Sequence, residues 1–242
     1  MKISYCTSLK NRFNHFKVAS NLNLKCFLEL ENEINTKHDF EWCIVDYDST
    51  DIDLESYIKN LNSKFIVYKK IDNKPYYLRS HAKNICHLMA SGEVVVNVDA
   101  DNIITPNFHK AILDLFEKQN AKVAWPGNWP RITKAICGGG AGRIAMRKEV
   151  FEELGGYDEV FLSWGWEDMD IMHRAEKSNY PISYIDDTTM KFIHHGDGDR
   201  FVHNIQKSRL ESSEPNKKYM LNKLKNKEFI ANVGKKWGDE YA

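Results

Sequence analysis

Residues 93–99 read Glu-Val-Val-Val-Asn-Val-Asp, and this run limits the fold more than any other. Four valines in five positions favour extended backbone, so Glu93–Val98 reads as a buried strand ending at Asp99. A strand this apolar needs cover on both faces, which is the condition of a parallel sheet flanked by helices.

The neighbouring sequence supplies that architecture. Strand signals at Lys2–Cys6, Glu41–Val45 and Phe65–Tyr68 alternate with helical spacing over residues 12–34, Leu54–Leu61 and Tyr77–Ala90. Thr105-Pro106 opens a further helix to about Lys118, with proline in the first turn where its missing N–H costs least. Lys122–Trp125 reads as a strand. Residues 126–142, rich in Gly, Pro and Trp, read as a long functional loop. Lys148–Leu154 and Asp168–Lys177 read as helices, and Ile182–Ile185 and Met190–His194 as strands.

At 242 residues, one α/β domain with a C-terminal appendage is the simplest partition: residues 1–202, then a helical extension over 203–242. The extension holds nine Lys/Arg against five Asp/Glu, with helix expected around Tyr219–Gly234. It reads either as a solvated helix packed on the domain or as a contact for a partner or an anionic inner-membrane surface. The formal net charge is zero, which gives no support to nucleic acid as a partner. No apolar run reaches the ~20 residues of a membrane span. The N-terminus enters a strand at once instead of a signal peptide. A cytoplasmic protein is expected. Five scattered cysteines without a CxxC fit reduced thiols used as small hydrophobes.

Ligands of open α/β sheets bind beyond the carboxyl ends of the strands. The first strand delivers Thr7 and Arg12 there, the second Asp46 and Asp48, and the valine strand Asp99 and Asp101. Two carboxylates at a strand end suit Mg²⁺ or Mn²⁺ carrying substrate phosphates, although such acids also simply cap turns. Arg79 and Lys83, four apart on a helix, share a face that can meet phosphate. The glycine run 138–142, including Gly139, permits close backbone approach but is no P-loop. Trp164-Gly165-Trp166-Glu167-Asp168 joins flat indoles, which suit a sugar ring, to carboxylates that can accept a hydroxyl proton. Of adjacent His194 and His195 on a strand, at most one faces a metal, and the sequence leaves both open.

In this order, the motifs resemble the GT-A glycosyltransferases, family-2-like bacterial enzymes with a β-1,4-galactosyltransferase-type C-terminal half. The likeness rests on residues 6–12, 46–51, 79–84, the Asp99-Ala100-Asp101 triplet, and the stretch from Gly138 to Arg174. It implies a Rossmann-like mixed sheet, and Thr7, Arg12, Asp46 and Lys83 on the nucleoside and phosphates. It also implies Asp99 on ribose or sugar, Asp101 with His194 or His195 on Mn²⁺ (or Mg²⁺), Trp164 stacked on sugar, Glu167 on sugar hydroxyls, and Asp168 as base. The partners it implies are a UDP-sugar donor and a glycan acceptor of a cell-surface or capsular polysaccharide. Trp166 stands where the Trp-Gly-Gly-Glu-Asp motif of that half has its second glycine. A metal-dependent nucleotidyltransferase or phosphohydrolase, and a non-catalytic nucleotide- or glycan-binding module, are the alternatives. The first would need no Trp164 platform, and the second would bind UDP or sugar without turnover.

Overall fold

The computed structural model describes residues 1–33, 39–127, 142–186, 189, 191–194, 196 and 201–239. Strands β1 (Lys2–Leu9), β2 (Asp39–Tyr47), β3 (Ile66–Ile71) and β4 (Val94–Asn97) are parallel neighbours in the order β3-β2-β1-β4. The sheet continues through β7 (Ala145–Arg147), antiparallel to β4, then β6 (Val123–Pro126) and β8 (Ile182–Ile185). It is a mixed seven-stranded sheet flanked by helices. A separate two-stranded ribbon pairs β5 (Asn102–Ile103) with β9 (Lys191–Phe192).

Period-two alternation divides the core between the two faces. Ile3, Tyr5, Trp42, Ile44, Val94 and Val96 face one side, where they meet α1 (Phe13–Glu33), α2 (Leu54–Leu61) and α4 (Pro106–Leu113). Cys6, Cys43, Val45 and Val95 face the other, against α3 (Arg79–Met89), α5 (Lys148–Glu153) and α6 (Glu167–Lys177). The valine strand is fully covered, as its composition requires. Thr105 accepts from the Phe108 amide at the helix start expected there, and Asp53 likewise accepts from the Ser56 amide before α2.

Several strand limits shift by one to three residues from expectation, and the expected Met190–His194 strand is only Lys191–Phe192, so His194 lies beyond its end. β7 has only three residues, too few for a periodic signal. The helix opened at Pro106 reaches Lys118 as expected, but its last turn, Asp114–Lys118, is π-helical. The C-terminal helix, α7, spans Arg209–Lys225 instead of 219–234. Ser208 caps its start by accepting from the Glu211 amide, and Pro215 is tolerated within it. Beyond it Lys227 and Asn232 adopt left-handed backbone, which ends helical propagation.

The C-terminal segment packs into the domain. Lys223 is buried, bonded to Asp158 and 3.8 Å from Asp170, while Asp170 holds Arg174 at 2.7 Å. The Ala231 amide donates to the Leu154 carbonyl at 2.9 Å. No helix among the described residues is long and apolar enough to cross a membrane.

Candidate active site

The carboxyl ends of β1, β2 and β4 lie along one edge of the sheet, as parallel pairing demands. Beyond β4 the chain turns sharply. The Asn102 amide donates to the Asp99 carbonyl at 2.9 Å, and Asn102 Oδ1 accepts from the Asp99 amide at 3.2 Å. Asn97 Nδ2 donates to Asp99 Oδ1 at 3.3 Å and to the Gly142 carbonyl at 2.8 Å. The β5–β9 ribbon then extends by one bond, from the Ile193 amide to the Asp101 carbonyl at 2.8 Å. This sets exposed His194 immediately after a residue bonded to the Asp-Ala-Asp turn. Asp101 is buried, with Oδ1 accepting from Asn102 Nδ2 at 2.8 Å. His195 and Gly139 lie outside the described residues.

Arg143 braces this turn. Its buried guanidinium donates from Nε to Asn102 Oδ1 at 2.8 Å and from Nη2 to the Lys191 carbonyl, joining β5 to β9. Burial lowers its pKa to about 10, although Asp99 and Asp101 pull the other way. Sequence reasoning assigned this residue no role, because its partners Asn102 and Lys191 are 41 and 48 residues away.

The second group of acids arrives on α6. The loop before it is left-handed at Gly165 (φ 101°) and Trp166 (φ 74°). Its tightness lets the Gly165 amide donate to Glu167 Oε2 at 3.0 Å and the Asp170 amide to the Trp166 carbonyl at 2.8 Å. Left-handed backbone suits glycine and strains a tryptophan. This gives a physical reason for a glycine at that position in the galactosyltransferase-type motif. Carboxylates in the first turn of a helix also gain from its dipole.

Lys83, from the middle of α3, reaches both acids. Its Nζ lies 2.7 Å from Asp168 Oδ1 and 3.3 Å from Glu167 Oε1, over the Tyr157 ring at 4.8 Å. Lys83 and Glu167 are buried, and 21% of the Asp168 side chain remains open to solvent. Asp99 approaches from the turn that follows β4. A methyl group built on Gly142 would lie 2.9 Å from Asp99 Oδ2 and 3.3 Å from Asp168 Oδ2. The two carboxylates therefore border one space that only glycine leaves open.

These charges set one another's protonation. Burial raises Asp168; Lys83 partly offsets this, and the negative neighbours Glu167 and Asp99 add to it, leaving its pKa at about 7. Burial would also raise Glu167, but Lys83 and Arg79 outweigh it and hold the group below its ordinary value. Burial opposes the charge on Lys83, yet Asp168 and Glu167 raise its pKa well above normal. A carboxyl group titrating near neutrality beside open space can take a proton from a bound hydroxyl.

The remaining expected residues have diverse settings. Thr7 is fully buried, its hydroxyl donating to the Val98 carbonyl at 2.7 Å and accepting from Trp42 Nε1 at 2.8 Å. Asp46 is buried and accepts from the Ser49 amide at 2.8 Å and the Tyr68 hydroxyl at 3.1 Å. Both brace strand ends through internal bonds. Asp48 accepts from the Lys74 amide at 3.0 Å and lies 3.6 Å from Lys10 Nζ. Arg12 is half-buried before α1, and Arg79 begins α3 with its guanidinium 5.3 Å from the Tyr77 ring.

The two tryptophans are engaged by α7. Trp164 meets Phe201 edge-on at 5.7 Å and carries the Arg209 guanidinium over its face at 5.0 Å. Trp166 Nε1 donates to Ser213 Oγ at 2.8 Å, with Lys217 Nζ over its ring at 5.4 Å. Asn216 Nδ2 donates to the Gly165 carbonyl at 2.9 Å. A helix expected as an appendage thus holds the loop that delivers the acid pair.

Two family models match the chain. The model described as Glycosyl transferase family 2 matches residues 19–155, more than half of the chain. The chain belongs to glycosyl transferase family 2. A second model, described as N-terminal domain of galactosyltransferase, matches residues 127–197 of this glycosyltransferase and so includes the tryptophan–acid loop.

Solved structures share the GT-A fold. S. aureus TarS 1-349 in complex with UDP is 16% identical with a TM-score of 0.61, over 92% of this chain and 71% of that one. In a second TarS 1-349 structure the match spans 62% of TarS 1-349. The mannosyltransferase PcManGT from Pyrobaculum calidifontis, in complex with GDP-Man and Mn²⁺, is 15% identical with a TM-score of 0.59, over 76% of this chain and 55% of that one. The catalytic domain of Drosophila β1,4-galactosyltransferase 7, in complex with xylobiose, is 14% identical with a TM-score of 0.57, over 91% and 79%. A search of curated proteins gives no match.

Proposed function

We propose that this glycosyltransferase moves a hexose or N-acetylhexosamine from a UDP-sugar to a hydroxyl of a cell-surface or capsular glycan, with inversion at the anomeric carbon. The observation that carries the reading is Asp168, titrating near 7 across the Gly142 gap from Asp99. The neighbours crystallised with UDP, UDP-GlcNAc or GDP-Man support a nucleotide-sugar donor.

In the proposed step, the acceptor hydroxyl oxygen attacks the anomeric carbon as the bond to the diphosphate oxygen breaks. The hydroxyl proton passes to an Asp168 carboxylate oxygen, and the nucleoside diphosphate leaves with the bonding pair. One displacement accounts for inversion, and no covalent enzyme intermediate forms. Glu167, held ionised by Lys83 and Arg79, is assigned to sugar hydroxyls. Asp99 is assigned to the ribose or sugar on its side of the gap. Arg12 and Arg79 are the cations assigned to the nucleotide. Trp164 offers the sugar whatever surface Arg209 and Phe201 leave open.

A divalent cation fits the donor set. Asp101 offers a carboxylate, and the β5–β9 ribbon brings His194 beside its turn. Among the described residues no three metal-binding side chains converge, and a divalent cation held here would also need oxygen ligands from the donor phosphates. Asp101 and His194 or His195 would hold Mn²⁺ or Mg²⁺, which would supply charge neutralisation for the departing diphosphate.

Incubation with a panel of UDP-sugars, Mn²⁺ and oligosaccharide acceptors, followed by NMR of the product, tests this reading. A new glycosidic bond of opposite anomeric configuration to the donor is expected. Nucleotide turnover independent of acceptor would instead indicate a phosphohydrolase. Nucleotide binding with no turnover would indicate a binding module.

A further inference from the structure

Charge is segregated along this chain. The whole is formally neutral, yet residues 217–236 contain seven lysines and one acid, Glu228. Some of these lysines have internal duties: Lys223 is buried on Asp158, Lys217 lies over Trp166, and Lys236 pairs with Asp239 at 2.5 Å. Lys218, Lys225, Lys227 and Lys235 are exposed and form no ion pair among the described residues.

The same stretch presents aliphatic side chains to water: Leu221 is 50% exposed, Ile230 56% and Val233 75%. They are not on a loose tail. Between Ile230 and Val233, buried Ala231 donates to the Leu154 carbonyl, and Asn232 Nδ2 donates to the carbonyls of Gly155 and Tyr157, both at 2.8 Å. Left-handed Lys227, Asn232 and Gly234 fix the turns around them. The fold therefore anchors the backbone and holds the two aliphatics outward.

A groove of about 450 Å³ lies between the end of α7 and this loop, lined by Tyr219, Lys227, Phe229, Ile230, Val233 and Lys235 among others. Protruding aliphatics bordered by unpaired lysines match the two layers of a lipid interface, acyl boundary and anionic headgroup. A second copy of the same face would bring lysines against lysines, which charge disfavours. A hydrophilic polyanion would have no use for Ile230 and Val233.

We propose that residues 217–236 dock this protein on an anionic bilayer surface. Ile230 and Val233 enter the interface, and Lys225, Lys227 and Lys235 meet headgroup phosphates. The inference does not rest on the transferase reading, because its test needs no turnover.

The test is sedimentation of the full chain with vesicles of phosphatidylcholine alone, or of phosphatidylcholine with phosphatidylglycerol, at low and high salt. Binding is expected only with phosphatidylglycerol and is expected to weaken with salt. The triple variant Lys225→Glu/Lys227→Glu/Lys235→Glu should bind at least about tenfold more weakly. The separate variant Ile230→Ser/Val233→Ser should also lose affinity, and both should keep the parental melting temperature. Equal binding to both vesicle types, no binding to either, or an aliphatic variant that binds like the parent would overturn the proposal. Concentration-dependent self-association abolished by the same substitutions would assign the face to a second copy and overturn it equally.

Discussion

Two buried carboxylates paired with lysine, at opposite ends of one sheet, reach opposite electrostatic outcomes. At the amino end, Glu41 accepts from Ser4 Oγ at 2.6 Å, the Ser91 amide at 2.6 Å, and Ser91 Oγ, and pairs with Lys2 at 2.8 Å. Burial would raise its pKa, but these donors lower it to about 2. At the carboxyl end, Asp168 has Lys83 but also Glu167 and Asp99, and its pKa is about 7. One lysine cannot satisfy several carboxylates in a confined space. The amino end spends its acid on stability; the carboxyl end keeps one in reserve for proton transfer.

The largest effect that would break this contrast is at Asp168. Asp168→Asn should lower kcat by roughly 10³-fold, within the usual range for a lost general base. UDP binding, followed by calorimetry, should persist. Turnover near the parental rate would remove Asp168 from the base role.

Lys83→Met should sharpen the contrast. It leaves Glu167 and Asp168 buried without their shared cation, at a cost of about 3 kcal/mol in urea unfolding. Because Lys83 holds the Asp168 pKa down, its loss should move the alkaline-rising limb of activity to higher pH. An unchanged limb would show that Lys83 does not tune the acid.

Glu41→Gln should have the smallest effect, confined to stability. A loss of about 1–3 kcal/mol is expected, because Ser and Lys donors lose a charged acceptor. Turnover at 25 °C should be unaltered. The sign of its pH dependence follows from its lowered pKa. The contribution of Glu41 is fully present above its ordinary value of 4.5 and is lost as pH falls toward about 2. Urea midpoints of parent and variant should therefore converge in acid.

The sheet was legible where residue type and position coincide. The valines of β4, the Thr105-Pro106 helix start and the order of strand-end acids all report local rules that the fold obeys. The tryptophan–acid loop was legible because its chemistry is concentrated in five consecutive residues. What was not legible depends on distant partners. Nothing near Lys83 in sequence shows that its ammonium meets Glu167 and Asp168, 84 and 85 residues away. Thr7 resembles a ligand-facing strand end until Trp42 and Val98 are seen to occupy its hydroxyl. Arg143 acts only because β5 and β9 meet. The C-terminal helix hid its start behind Pro215, and its hold on Trp164 and Trp166 belongs to packing that no periodicity encodes.

The central claim is that Asp168 is a near-neutral base for sugar transfer, and the pH dependence of kcat/KM for glycoside formation tests it most directly. The account predicts a rise of about tenfold per pH unit below an inflection near 7, then a plateau as the carboxylate becomes fully ionised. A profile that is flat from pH 5 to 9, or one inflecting near 4, would contradict it.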